Sequence, residues 1–205
     1  KPNWYGLLFE HLEHSSTLHV PGTLRIITFN YDRSLEYYVG LFHALEHRLE
    51  QDEGWKTLNN RLELVHVYGS VGNLPCPRLK KGEFAPKYGS FFGHDAWEAG
   101  HLIKIIERED SNSQAFVKCQ EWISQADHVI ILGFGFDDQN CRRLKLAEAT
   151  KGKHVYTTAF DKKEHHKIMG ALPNSEKLEL GQPGEGCFHF LLRTQALRLA
   201  LDGQG

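Results

Sequence analysis

Methionine occurs once in this sequence of 205 residues, as Met169, although a translated chain begins with one. The chain therefore reads as processed, or as a fragment truncated ahead of Lys1. Cysteine is sparse as well. Cys76, Cys119, Cys141 and Cys187 stand far apart, and no two have the C-x-x-C spacing of a structural zinc site. Free thiols, mostly buried, are the expectation, because nothing points to an oxidising compartment. Charge of one sign is lacking too: 24 Lys and Arg face 26 Asp and Glu, a formal net charge of −2. No basic field draws such a chain onto nucleic acid or an anionic membrane. No apolar run approaches the roughly 20 residues that span a bilayer. Lys1-Pro2-Asn3-Trp4 does not open a signal peptide. A cytoplasmic protein without nucleic-acid or membrane partners is the expectation.

What is present is an ordinary globular mixture, 40% hydrophobic and 24% charged. Short apolar runs alternate with amphipathic stretches. Leu24 to Phe29 predicts a first strand, nearly continuous in apolar residues as a strand covered on both faces is. Leu35, Tyr38, Phe42, Leu45 and Leu49 recur at helical spacing as far as Gln51. Glu63 to Tyr68 predicts a second strand, and a proline- and glycine-bearing loop follows. Helices are expected over Asp95 to Arg108 and Ser113 to Ala126, then a strand over His128 to Gly133. A helix over Asp138 to Thr150, a strand over His154 to Phe160 and a helix over Lys163 to Ala171 come next. A weak strand over Lys177 to Leu180 precedes a last helix that buries Phe188, Leu191, Leu192, Ala196 and Leu199. Such alternation predicts one doubly wound, mostly parallel α/β domain of Rossmann-like type, with residues 72–126 as a helical insert. Trp4 to His19 would be a crossover helix, which implies a strand upstream.

In an open parallel sheet, ligands bind beyond the carboxyl ends of the strands. The first expected strand exits into Asn30-Tyr31-Asp32, the second into Gly69-Ser70, the third into Gly133-Phe134-Gly135, and the fourth into Asp161. Each exit offers a glycine, a carboxylate or a hydrogen-bonding side chain, and together they predict a shared nucleotide pocket. Each also has a plainer reading. Asn30 or Asp32 can cap the next helix, Gly69-Ser70 can be a turn, and Asp161 can be a cap. Gly133-x-Gly135 lacks the third glycine of a dinucleotide fingerprint, because Asp138 stands there.

Thr28-Phe29-Asn30-Tyr31-Asp32 resembles the T-x-N-x-D segment of the sirtuin-like (silent information regulator) family. His66-Val67-Tyr68-Gly69-Ser70 is similar to that family's second signature, in which a histidine precedes Gly-Ser. Ala126-Asp127 with the following apolar run to Gly133 looks like its third. The resemblance extends from Leu24 to Asp161. It implies cleavage of the nicotinamide–ribose bond of NAD, with Asn30 and His66 catalytic. It also implies that Thr28, Phe29, Tyr31, Asp32, Tyr68, Gly69, Ser70, Gly133, Phe134, Gly135 and Asp161 line the nucleotide. Three departures accompany it. Tyr68 stands where the family places its histidine, so His66 either substitutes for it or is a satisfied core histidine. The zinc cysteines of protein deacylases are absent, which favours the bacterial NAD-hydrolysing branch and its association with antiviral defence. The family's glycine-rich loop is not in this chain.

The expected cofactor is NAD, as substrate or ligand, with no metal. The expected partners are a small-molecule nucleotide and either further domains or a second copy. A non-catalytic sensor of NAD or ADP-ribose derivatives is the alternative function, and an interaction module whose strand exits are only caps and turns is a third. Thirteen histidines invite metal readings at His11 and His14 beside Glu10 and Glu13, and at His165-His166. Neither pattern is a catalytic zinc arrangement, and solvated helix faces explain both. No Ser-His-Asp arrangement follows from spacing.

Overall fold

A computed structural model of the chain describes residues 3–14, 24–50, 53–54, 62–72, 85, 88, 100–103 and 113–202. The expected helix over Asp95 to Arg108 lies almost wholly outside these residues, as does the Cys76 thiol. The chain divides into two compact units, Tyr5–Glu109 and Asp110–Gly205, the second also taking Lys1–Trp4. The fold is α/β, and every strand pair described is parallel.

In the unit Tyr5–Glu109, helix α1 (Trp4–His14) precedes strand β1 (Arg25–Thr28). Helix α2 (Ser34–His47) follows, and strand β2 (Glu63–His66) lies beside β1. Parallel neighbours need a long connection, and α2 lies within it. The register sets Arg25 against Glu63 and Thr28 against His66. The first pair is fastened across the strands by Arg25 Nε to Glu63 Oε2 at 3.0 Å. Helices α1 and α2 meet through aromatic rings one turn apart on each. Tyr5 stacks on Tyr38 with centroids 5.8 Å apart, and Phe9 tilts on Phe42 at the same distance. Helix α2 stops earlier than its apolar spacing predicts, because Arg48 turns left-handed (φ 53°). Its own N–H and that of Leu49 then reach back to the carbonyls of Leu45 and Ala44.

In the unit Asp110–Gly205, helix α3 (Gln114–Gln125) leads into β3 (His128–Ile131). Strands β4 (His154–Thr157) and β5 (Lys177–Leu180) follow, and the sheet order is β3-β4-β5. Val155 and Tyr156 are both buried. Successive strand residues point to opposite faces, so the central strand is covered on both sides. The helical pattern over Asp138 to Thr150 forms two helices rather than one, α4 (Asp138–Arg143) and α5 (Leu146–Ala149). Lys145 adopts φ 49° between them and ends the first ladder. Helix α6 (Lys162–Ala171) connects β4 to β5. The last expected helix is likewise split, into α7 (Cys187–Thr194) and α8 (Ala196–Asp202), by Gln195 at φ 52°. Lys153 supplies the missing partners at the end of α3. Its Nζ donates to the carbonyls of Ser124 at 2.8 Å and Ala126 at 2.5 Å. No helix of the described residues is long and apolar enough to cross a membrane.

Candidate functional site

The sequence-predicted residues fall into two groups, one in each unit. In the unit Tyr5–Glu109, strand pairing brings the ends of β1 and β2 side by side. Both strands stop short of the expected bounds. Val67 and Tyr68 form a turn instead of extending β2, although the Val67 N–H still donates to the Thr28 carbonyl at 2.9 Å. Tyr68 is buried and packs edge-on against Phe29, with centroids 5.7 Å apart. His66 and Tyr68 therefore do not share a strand face. Gly69 has φ 78°, and a Cβ there would meet the Leu102 carbonyl oxygen at 2.0 Å. A close backbone approach and a left-handed conformation both demand glycine at this position. Ser70 Oγ donates to the carbonyl of Gly72 at 3.1 Å, and the Val71 N–H donates to that of Tyr31 at 2.9 Å.

His66 is the centre of this group. Its Nδ1 lies 2.7 Å from the Asn30 carbonyl oxygen, and its Nε2 lies 2.7 Å from Glu36 Oε1. A carbonyl oxygen accepts only, and so does an ionised carboxylate, so both ring nitrogens donate and the ring is an imidazolium. Burial pulls the imidazole down. The Glu36 hydrogen bond and charge, the Asn30 carbonyl and the charge of Asp32 outweigh that and hold it above the usual histidine range. Glu36 is itself buried on α2, and its Oε2 accepts no hydrogen bond among the described residues. The buried guanidinium of Arg33 shares the neighbourhood. Burial pushes it down from the ordinary arginine value, while Glu36 and Tyr88 pull it back up.

Asn30 is pinned from two sides along its backbone. Its N–H donates to Thr28 Oγ1 at 3.1 Å, and its carbonyl receives His66 Nδ1. The residue is exposed, as are Tyr31 and Asp32. The strand exit thus presents a carboxamide on a fixed main chain. Asp32 Oδ1 accepts from the Ser34 N–H at 2.9 Å, an Asx turn just ahead of α2, whose N-cap is Arg33. Beyond it, Ser34 Oγ and the Tyr88 hydroxyl are 2.9 Å apart, and Tyr88 stacks on Tyr37 with centroids 3.9 Å apart.

In the unit Asp110–Gly205, Gly133, Phe134 and Gly135 follow β3. Gly133 has φ 61°, and its N–H donates to Thr158 Oγ1 at 2.8 Å. A Cβ at Gly133 or Gly135 would meet nothing within 4 Å. Asp137 Oδ1 accepts from the N–H groups of Gln139 and Asn140, so a carboxylate already fills the start of α4. Asp161 caps α6 in a full capping box. It accepts from the Lys163 N–H at 3.1 Å, while Glu164 reaches back to the Phe160 and Asp161 N–H groups. Cys119, Cys141 and Cys187 are free, and burial pushes the first two thiols up to about 12 and about 11. Neither is a thiolate nucleophile near neutral pH.

Sequence reasoning did not single out Glu36, Arg33 or Tyr88. Glu36 reads as a polar position of an amphipathic helix, and only its pairing with a histidine 30 residues away reveals it. It also did not join Glu13 to His43 and His47. The i, i+4 histidines of His43-Ala44-Leu45-Glu46-His47 were the available signal. Glu13 Oε1 lies 2.6 Å from His43 Nδ1, and Glu13 Oε2 lies 2.9 Å from His47 Nε2. Of the histidines weighed for metals, His11 turns its Nδ1 onto the carbonyl of Leu7 at 2.9 Å. His165 and His166 join no three-ligand group among the described residues.

Compared with known proteins, the chain matches no protein-family model, no curated protein and no solved structure.

Proposed function

We propose that the protein is a cytoplasmic NAD glycohydrolase of sirtuin-like, doubly wound Rossmann-like type, with Asn30 as its reactive-site amide. The observation that carries this reading is the pinned backbone and exposed carboxamide of Asn30 at the β1 exit. The order of the three motifs that resemble the sirtuin-like family, and the burial of β4 on both faces, support it. Cleaving a nicotinamide–ribose bond builds oxocarbenium character on the ribose, and a fixed amide orients the water that attacks it. His66 has both nitrogens committed to acceptors, so it is a positioning residue that acts through Asn30. The proton of the attacking water then leaves to solvent. Tyr31 and Asp32 flank the amide as ribose contacts. A defence role that depletes NAD follows from the resemblance alone.

The test is release of nicotinamide and ADP-ribose from NAD by the protein. Asn30→Ala is expected to abolish turnover while leaving the fold intact, because the side chain is exposed. His66→Gln is expected to lower kcat more than it raises KM. A second reading, a sensor that binds NAD or ADP-ribose derivatives without turnover, draws support from His66, which offers no lone pair to accept a proton. Saturable binding weakened by Asn30→Ala, with no nicotinamide released, selects the sensor. Absence of both binding and turnover overturns both readings.

A further inference from the structure

We propose that Glu13, His43 and His47 form a binding site for one divalent transition-metal ion, zinc by the chemistry of its donors, that clips α1 to α2. The three ligand atoms, one carboxylate oxygen and two imidazole nitrogens, lie within 4.8 Å of one another. Two histidines at i and i+4 on one helix face are a preorganised pair, with ring centroids 4.3 Å apart. A carboxylate from a second helix closes the set, and two imidazoles with one carboxylate suit zinc, with water as a fourth ligand.

The nitrogen–oxygen spacings are close to what an ion requires. Ligands around a tetrahedral zinc at about 2.0–2.2 Å stand about 3.3 Å apart. The nitrogens already sit 2.6 and 2.9 Å from the two Glu13 oxygens. An ion entering between them takes the place of the proton on each facing nitrogen, and each ring ligates as neutral imidazole with its one proton on the other nitrogen. The site is walled on one side and open on the other. The His43 side chain is 4% exposed and that of Glu13 15%, whereas that of His47 is 46% exposed. Phe9 packs edge-on to His43 with centroids 6.4 Å apart and supplies an apolar wall. The exposed edge at His47 gives the ion an entrance and a place for water. The residue after His43 is Ala44, not the glutamate that acts as base in hydrolytic H-E-x-x-H helices. The role proposed for the bound ion is therefore to tie α1 to α2, without the neighbouring base of that helix motif. This site lies on different residues from the Asn30 group, so it stands whether or not NAD is cleaved.

The whole protein, stripped with chelator, is titrated with zinc by calorimetry and with cobalt by visible absorption. The expected result is one equivalent bound, the strong absorption of four-coordinate cobalt, and a higher Tm with metal. His47→Ala removes an exposed side chain and is expected to weaken binding by more than about tenfold, the loss that even outer partners of ligands can cause. Glu13→Gln is expected to do the same, and both variants should keep the wild-type circular dichroism in chelator. His166→Ala, an exposed histidine on α6, is expected to bind as wild type. No saturable binding overturns the proposal. So does binding unchanged in both His47→Ala and Glu13→Gln, which would place the ion on other histidines.

Discussion

His66 and Asn30 meet through a 2.7 Å hydrogen bond from an imidazole nitrogen to a main-chain carbonyl, 36 residues apart in sequence. The other nitrogen of the same ring holds Glu36 at 2.7 Å. The ring therefore couples a buried carboxylate on α2 to the backbone of an exposed amide. The arrangement favours a charged His66, because removing either proton sets a ring lone pair against an acceptor oxygen.

Stability is expected to depend on that charge. A histidine whose folded value lies above its unfolded one, near 6.5, binds its proton more tightly when folded. Its contribution is complete below about pH 6.5 and is lost as pH rises through the raised folded value. The groups facing it are Glu36 and Asp32, and Arg33 lies near Glu36. Urea midpoints measured from pH 6 to pH 9 are expected to fall in the wild type, and to fall less in His66→Gln. Equal slopes in the two proteins would refute the assignment.

Truncating Glu36 removes the buried carboxylate that bonds His66 and its charge from beside the buried Arg33. Glu36→Ala is expected to cost about 3–5 kcal/mol, the usual loss when one partner of a buried pair is removed. Glu36→Gln, which keeps an acceptor for His66, is expected to cost less. Chemical denaturation of both variants measures the difference.

The two strand-exit glycines are expected to respond unequally to alanine. Gly69→Ala sets a Cβ against the Leu102 backbone as well as straining φ 78°, and a loss of more than about 2 kcal/mol is expected. Gly133→Ala meets open space, so only the left-handed penalty of about 1–2 kcal/mol applies. A thermal melt of each variant ranks them.

Asp161→Ala separates capping from ligand binding. Loss of the cap is expected to cost about 1 kcal/mol. If Asp161 acts only as a cap, the proposed affinity for NAD, read by titration below the melting transition, stays as in the wild type. A lost affinity with an unchanged melt would assign it to the nucleotide instead.

The strands were legible because β-branched runs such as Val129-Ile130-Ile131 have few alternatives, and even the weak run Lys177–Leu180 is β5 as expected. Helix interruptions at Lys145 and Gln195 were not legible. Both residues are left-handed without being glycine, and neither carries a local signal for that conformation. At the candidate site, the residues flanking β1 and β2 could be read from motif order. Their connections could not, since the Glu36 to His66 and Glu13 to His43 pairs each cross 30 positions of sequence. Asp161 and Asp137 show the converse. Each carries the signal of a helix cap, and a cap is what each forms.

Helix α2 presents Glu36 and His43 on its buried face, each fastened to a partner from a different element. A rod gripped at two points has a single axial setting. Adding or deleting one residue between 37 and 42 swings one grip about 100° away from its partner. Substitutions of equal length on the solvent side leave both grips engaged. Evolutionary drift in this helix is therefore expected to change letters and to conserve length.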